Sequence, residues 1–461
     1  MSNKDLLAFV QLDRALPDKR KAEERTTDFL DIYTQAPDEQ LAAQADRCLD
    51  CGNPYCQWKC PLHNHIPNWL ELVRRGKLKQ AARTMLNTNP LPEICGRVCP
   101  QDRLCEQACT INTGFGAVTI GNIEKQVSDM AIENGWYDIA IPAKIGKKVA
   151  VIGSGPAGIG CADFLVRHGV DVVVFEKAPE IGGLLTFGIP EFKLEKSVLL
   201  KRREHLEKQG IEFRLNTEIG KDIAFEDLRA EYDAVFLGMG AYEAVDGGLQ
   251  DPENKAIIAS LDYLIGVTNH NHNLNMQGAN FHDLKDQDVM VFGGGDTAMD
   301  CVRTAIRQGA KSVKCVYRRA EKDMPGSRKE VVSAREEGIE FVFHKQPTAI
   351  HKEGDKLSVK VTDTTSKEEL ILTTDKAILA FGFRPNPPTW LTDLGLELDD
   401  SRRVKTYSSE QLPNLSQGTS LANIYVGGDM SRGADLVVTA IADGRYAAEQ
   451  MLADFSTVTV K

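Results

Sequence analysis

Eleven cysteines are spread unevenly along this chain, and eight of them fall between Cys48 and Cys109. The first group reads Cys48-x2-Cys51-x4-Cys56-x3-Cys60-Pro61; the second reads Cys95-x3-Cys99-Pro100, then Cys105-x3-Cys109. Closely spaced thiolates in a loop can wrap the corners of an iron–sulfur cube, and a C-x2-C start with Cys-Pro endings fits such binding runs. In two-cluster runs the last cysteine serves the other cluster. On that logic Cys48, Cys51, Cys56 and the distant Cys109 hold one [4Fe–4S] cube, and Cys60, Cys99 and Cys105 belong to a second. Structural zinc is a rival, but it favours short paired C-x2-4-C knuckles, a form neither group has. A disulfide framework belongs to oxidising compartments. A redox C-x2-C pair at Cys48 and Cys51 is a third alternative, though both lie outside the nucleotide motifs. Cys161, Cys301 and Cys315 stand singly in predicted helices or strands, where a small buried apolar residue is the plain reading.

The second chemistry is nucleotide binding, and it is written twice. Val149-Ala150-Val151-Ile152 runs into Gly153-Ser154-Gly155-Pro156-Ala157-Gly158, a G-x-G-x-x-G turn, and after one helix length Val172-Val173-Val174-Phe175 ends in Glu176 with Lys177 beside it. Gly153 permits the tight turn, Gly155 lets backbone approach a pyrophosphate, Gly158 lets helix and strand pack closely, and Glu176 can accept from a ribose hydroxyl. An ordinary strand-to-helix turn is the alternative for a lone motif. Gly182-Gly183-Leu184-Leu185 follows, a glycine-rich loop that can lie flat on a ring system or simply turn. The second copy runs from Asp288 to Phe292 into Gly293-Gly294-Gly295-Asp296-Thr297-Ala298, and its next strand ends not in an acid but in Arg318-Arg319, with Arg328 behind. Guanidinium groups in that place suit a 2′-phosphate, so this module should take NADP(H) rather than NAD(H); a solvated basic turn is the alternative. Near the end, Ile424-Tyr425-Val426-Gly427-Gly428-Asp429 precedes an apolar helix from about Asp435 to Leu452, with Val438 and Thr439 near its start. Asp429 can accept from a flavin ribityl hydroxyl, and the helix N-terminus favours negative charge on a reduced ring.

Several elements must position these groups. Residues 1–46 read as one or two amphipathic helices leading to the cysteines. From Pro67 a helical period through Trp69, Leu70, Val73, Leu78, Ala82, Met85 and Leu86 predicts a helix that holds the two cysteine loops back to back. Residues 137–147 form a linker. Strands are expected near Ala234–Leu237, Ile339–Phe343, Leu357–Val361 and Ala377–Ala380, with a crossing at Gly382-Phe383-Arg384-Pro385-Asn386. The expected fold is α/β: a helical iron–sulfur domain (1–145) followed by two Rossmann-like domains. The first of these is discontinuous (146–243 and 384–461) around the second (244–383). At 461 residues several domains are expected. The formal charge of −11 argues against nucleic-acid or anionic-membrane partners. The polar start, Met1 to Glu24, and the lack of any apolar run near ~18 residues point to a cytoplasmic protein.

With these residues in view the chain resembles, from end to end, the small (β) subunits of bacterial NADPH-dependent glutamate synthases. The matching stretches are the eight cysteines with Asn89-Pro90-Leu91-Pro92 and Gly96-Arg97-Val98-Cys99-Pro100, the paired fingerprints, and Gly427-Gly428-Asp429. The arrangement is also similar to the electron-input part of dihydropyrimidine dehydrogenase and, in its nucleotide modules, to adrenodoxin reductase. The resemblance implies FAD in the first module, NADPH in the second, two [4Fe–4S] clusters, and a large (α) partner subunit in a hetero-oligomer. In relatives a non-cysteine side chain after an Ile-Gly pair can complete the second cube; Ile120-Gly121-Asn122-Ile123-Glu124 makes Glu124 that counterpart, with Cys95 the other candidate. The implied work is hydride transfer from NADPH to FAD and single-electron transfer onward, with no catalytic side chain. Because the sequence begins Met1-Ser2 rather than with a glutaminase cysteine, it is expected not to make glutamate alone. Two other readings stand: a reductase subunit feeding ferredoxin or another dehydrogenase, and a nucleotide-sensing protein with structural clusters.

Overall fold

The computed structural model describes residues 4–457 except 6, 138–139, 252 and 410–411. Part of the linker at 137–147 and the Met1-Ser2 start therefore lie outside the described residues. The N-terminal stretch is not the pair of amphipathic helices expected. It is an extended arm with single helical turns at Ala8–Gln11 and Ala22–Arg25 before a helix at Asp38–Asp46. Pieces this short do not nucleate alone, and here tertiary bonds hold them. Arg25 is buried against Glu336 and Glu337, and Arg47 donates to Leu12 O and Ala117 O.

The helix expected from Pro67 is broken into Ile66–Arg74 and Leu78–Leu86. Gly76 sits between them at φ +69°, a left-handed C-cap position that lets the chain fold back. Trp69, Leu70, Val73, Ala82 and Met85 from this hairpin form one core with Ile120, Ile123 and Val127 of the helix Ile120–Glu133. That helix crosses Pro92–Val98 at close range: a Cβ on Gly96 would lie 2.5 Å from Lys125 N.

The first nucleotide module lays down β1 (Lys148–Ile152), β2 (Asp171–Phe175), β3 (Glu212–Arg214) and β4 (Ala234–Leu237), then leaves through β5 (Glu243–Ala244). The second contains β6 (Ile257–Ala259), β7 (Asp288–Phe292), β8 (Ser312–Val316), β9 (Glu340–Val342), an antiparallel meander β10 (Lys345–Glu353), β11 (Lys356–Asp363), β12 (Glu369–Thr374), and β13 (Lys376–Leu379). The chain returns through β14 (Phe383–Arg384) to β15 (Tyr407–Ser408), β16 (Ser416–Gly418) and β17 (Ile424–Val426).

These strands form a seven-stranded sheet in the order β15-β16-β17-β4-β1-β2-β3 and a five-stranded parallel sheet in the order β6-β13-β7-β8-β9. In both, the fingerprint strand (β1, β7) lies between two parallel neighbours, and its residues after the first are buried on both faces, which explains its unbroken apolar run. The first sheet is completed only by residues beyond 400, so its domain is discontinuous. β5 and β14 pair antiparallel, which puts the two crossings side by side. The last helix, Val437–Thr457, packs against the fingerprint helix Pro156–Val166. Glycines permit this: a Cβ on Gly444 would stand 1.9 Å from Ala157 O. No helix among the described residues is long and apolar enough to cross a membrane.

Candidate functional site

At the first corner Gly153 turns at φ +97°, and a Cβ there would meet Gly238 O at 2.5 Å. A Cβ on Gly158 would meet Gly153 O at 1.9 Å, whereas one on Gly155 would enter open space. Only Gly155 is thus free of protein on its open side, the cradle a pyrophosphate needs. Pro156 opens the helix, where its missing N–H costs nothing. Ser154 donates through N (2.9 Å) and Oγ (2.6 Å) to Glu176 Oε2, and Ala178 N donates to Oε1 at 2.8 Å, so the strand-end acid is locked in place. Ala157 lines the cavity below with Gly183 and Leu184, while Lys177 lies over the Tyr242 ring.

That cavity has a volume of about 560 Å3, and its wall includes Gly153, Gly155, Glu176, Gly428, Asp429, Val437 and Ala440. Gly428 N donates to buried Asp443, and burial chiefly pushes the Asp429 carboxyl up to about 7. Val438 and Thr439 do not line the cavity: Val438 is buried, and Thr439 Oγ1 donates to Leu436 O at 2.7 Å.

The same cavity reaches the second corner at Asp296 and Thr297. Here a Cβ on Gly293 would meet Ala380 O at 2.2 Å and one on Gly294 the Tyr317 ring at 2.6 Å, while Gly295 again faces open space. The third position is Ala298, whose methyl is fully buried. Arg318, Arg319 and Arg328 are exposed and off the cavity wall. Arg328 stands 4.0 Å from Glu321, and neither Arg318 nor Arg319 has an ion-pair partner among the described residues. Ser327, also on the wall, holds a buried hydroxyl with no hydrogen-bond partner, an orphan that a ligand oxygen would satisfy.

Sequence reading missed the groups joining the two corners. Lys193 Nζ from the first module pairs with Asp300 (2.7 Å) and Glu330 (3.6 Å) of the second, all on the cavity wall. Nothing local marks these residues, since the partners lie more than a hundred positions apart.

The cysteines form two sets. Cys48, Cys51, Cys56 and Cys109 line one small cavity with Leu70, Ile111 and Ile120. Burial chiefly drives the Cys48 thiol up to about 11 and that of Cys56 up to about 12; Cys48 also feels Cys109 and Cys51, and Cys56 feels Cys48, Cys109 and Cys51. Cys60 feels the charges of Cys99 and Glu124, Cys105 those of Cys60, Cys99 and Glu124, and Cys95 bonds Cys99 and feels Glu124. Burial raises the Glu124 carboxyl to about 8 against the opposing bond from Asn89 Nδ2 (3.2 Å); Asn64 Nδ2 lies 3.4 Å from the same oxygen. Cys95 Sγ donates to Asn89 Oδ1 at 3.7 Å.

All these thiols are free, and no three or more His, Cys, Asp or Glu among the described residues close on one metal ion. Clustered, desolvated thiols ringing a space suit a polynuclear cluster that is ligated by thiolates. Cys99 lines the nucleotide cavity as well. Cys161, Cys301 and Cys315 are fully buried.

Comparison with known proteins agrees with this layout. Residues 25–136 match the family model described as dihydropyrimidine dehydrogenase domain II, 4Fe-4S cluster, and residues 147–444 match that of pyridine nucleotide-disulphide oxidoreductase. The glutamate synthase [NADPH] small chain of Halomonas elongata is 52% identical over 96% of this chain and 97% of its own. That of Escherichia coli is 50% identical over 98% and 99%. In fold, Lactococcus lactis thioredoxin reductase is similar with a TM-score of 0.52 at 20% identity, covering 68% of this chain and all of that one. With both matched units in order and half of all positions shared along nearly the whole length, the chain belongs to the family of glutamate synthase [NADPH] small chains.

Proposed function

We propose that this chain is the electron-input subunit of a glutamate synthase: it oxidises NADPH and passes single electrons to a large subunit that makes L-glutamate from L-glutamine and 2-oxoglutarate. The observation that carries this reading is the one cavity whose wall includes the first glycine corner, Asp296 and Thr297 of the second, and Cys99. When bound, FAD accepts hydride and can release electrons singly, and [4Fe–4S] clusters carry one at a time. The protein supplies binding and orientation. Gly155 and the first N–H groups of helix Pro156–Val166 would cradle the FAD pyrophosphate, Glu176 its ribose, and the Gly428–Asp429 turn the flavin end. Gly295 and the start of the next fingerprint helix would do the same for NADPH, with Arg318, Arg319 and Arg328 on its 2′-phosphate. Lys193, paired with Asp300 and Glu330, fastens one nucleotide module to the other.

The two thiol sets support two clusters. Cys48, Cys51, Cys56 and Cys109 hold the first. Cys60, Cys99 and Cys105 would hold the second, with Glu124, whose charge is felt by both Cys60 and Cys105, taken as the fourth ligand and Cys95 as a neighbouring thiol. The domains are taken as 1–145, 146–243 with 384–461, and 244–383. The partner is a large subunit in a cytoplasmic hetero-oligomer, without membrane or nucleic acid. The test is anaerobic: iron, sulfide and flavin counts, NADPH-driven reduction of ferricyanide, and glutamine- and 2-oxoglutarate-dependent NADPH oxidation once the large subunit is added. Colourless, turnover-free protein would end the reading; dye reduction without the last activity would reassign the partner.

A further inference from the structure

One cation joins the NADPH module to the second thiol set. Lys329, in the first turn of the helix Arg328–Glu336, points its Nζ at Arg97 O (3.4 Å), Cys99 O (3.3 Å) and Gln101 Oε1 (3.0 Å). All three acceptors are neutral, and Lys329 forms no ion pair among the described residues; the carboxylate that feels its charge, Glu330, is already paired with Lys193 and Arg303. Arg97 beside it is already neutralised by Asp129 and Glu195, and Lys193 by Asp300.

The acceptors are rigid. Buried Gln101 donates onward to Gly96 O (3.0 Å) and Cys95 O (3.4 Å), and it occupies space that a side chain on Gly121 would take, its Nε2 lying 2.4 Å from a Cβ built there. The segment that presents Lys329 is pinned from both sides: Arg103 Nη1 donates to Pro325 O at 2.7 Å, and Ser327 N donates to Asp296 Oδ1 at 2.8 Å. Positive charge and hydrogen bonds near a cluster favour its reduced, more negative form.

We infer that Lys329 is a positioning residue for the second cysteine set and holds its reduction potential up with a fixed positive charge supplied by the NADPH module. This rests on the cluster reading above. The test is EPR-monitored potentiometry of the anaerobic holoprotein, with Lys329→Met, Lys329→Gln and Lys329→Arg beside the unaltered chain and iron counted in each. Loss of charge in the Met and Gln variants should weaken reduction of the second cluster about tenfold, a fall of about 59 mV for a one-electron couple. The first cluster should be unmoved and the Arg variant close to the parent. Should the Met variant lose iron, Gln carries the measurement, because its amide can still donate. An unchanged midpoint at full iron content, or an equal fall with Arg, overturns the inference. Absence of any [4Fe–4S] signal in the unaltered protein would instead overturn the function proposed above, and this inference with it.

Discussion

The two nucleotide corners use one backbone device to different ends. In each, the first glycine faces a carbonyl at the tip of the neighbouring strand, Gly238 O or Ala380 O, and the second faces open space. They part at the third position and at the strand end. Gly158 is jammed against Gly153 O where Ala298 carries a methyl; Glu176 is clamped by Ser154 and Ala178 where Arg318 and Arg319 stand exposed without ion pairs among the described residues. The last helix also packs on the first corner's helix. A pre-bonded corner packed under the last helix suits a resident cofactor, and one flanked by exposed arginines suits a substrate that comes and goes. The shared geometry fits a dinucleotide at each corner, and the differing surroundings support the proposed placing of FAD at the first and NADPH at the second.

This contrast can be broken in several ways. The largest effect should come from Gly158→Ala, which drives a methyl into backbone and should cost ~3 kcal/mol with loss of flavin, whereas Ala298→Gly should cost about 1 kcal/mol. Urea unfolding measures both, and equal losses would erase the distinction. Next, Gly155→Val and Gly295→Val should leave stability nearly intact, because their side chains enter open space, yet each should weaken its own nucleotide at least about tenfold (~1.4 kcal/mol). Flavin content reads the first and the NADPH KM the second; a fall in both ligands for either change would mean the corners are not independent.

Replacing Arg318 and Arg319 by Glu should lower preference for NADPH over NADH by about 10- to 100-fold, as expected when charge-assisted hydrogen bonds worth ~1.5–3 kcal/mol are lost. Unchanged selectivity in kcat/KM would remove the 2′-phosphate assignment. Smallest at neutral pH is the effect of acid. Burial opposes ionisation of Glu330 and Glu337, but Lys193 and Arg303 on the one and Arg303 and Arg307 on the other hold both down to about 2. Their stabilisation is therefore complete above the ordinary value of 4.5 and lost as pH falls toward about 2. Since Glu337 also anchors Arg25, the arm near Thr26 should become protease-sensitive between pH 4.5 and 2, and protection persisting at pH 3 would contradict this.

Much of this was legible because it is local. Both glycine turns, the acid and the arginines after the second strands, and the thiol spacing lie within windows of about thirty residues. The break at Gly76 was missed, although a glycine after Arg74-Arg75 at the end of an apolar period marks a helix end. The N-terminal arm misled because its charge and helix formers answer to distant partners such as Glu336 and Glu337 rather than to each other. Lys193, Ser327, Lys329 and Glu330 carry no pattern at all. Their meaning arises only when the modules are docked, as with Lys329 and Cys99, 230 positions apart.

The split sheet has a bearing on how the molecule is made. On the ribosome, β1 to β4 emerge first but lack β17 and the Gly428–Asp429 turn until every strand of the five-stranded sheet has been synthesised. The corner that begins first in the sequence is thus completed only after the inserted module has been made, and on the function proposed above a nascent chain cannot hold flavin there before that insertion has been synthesised.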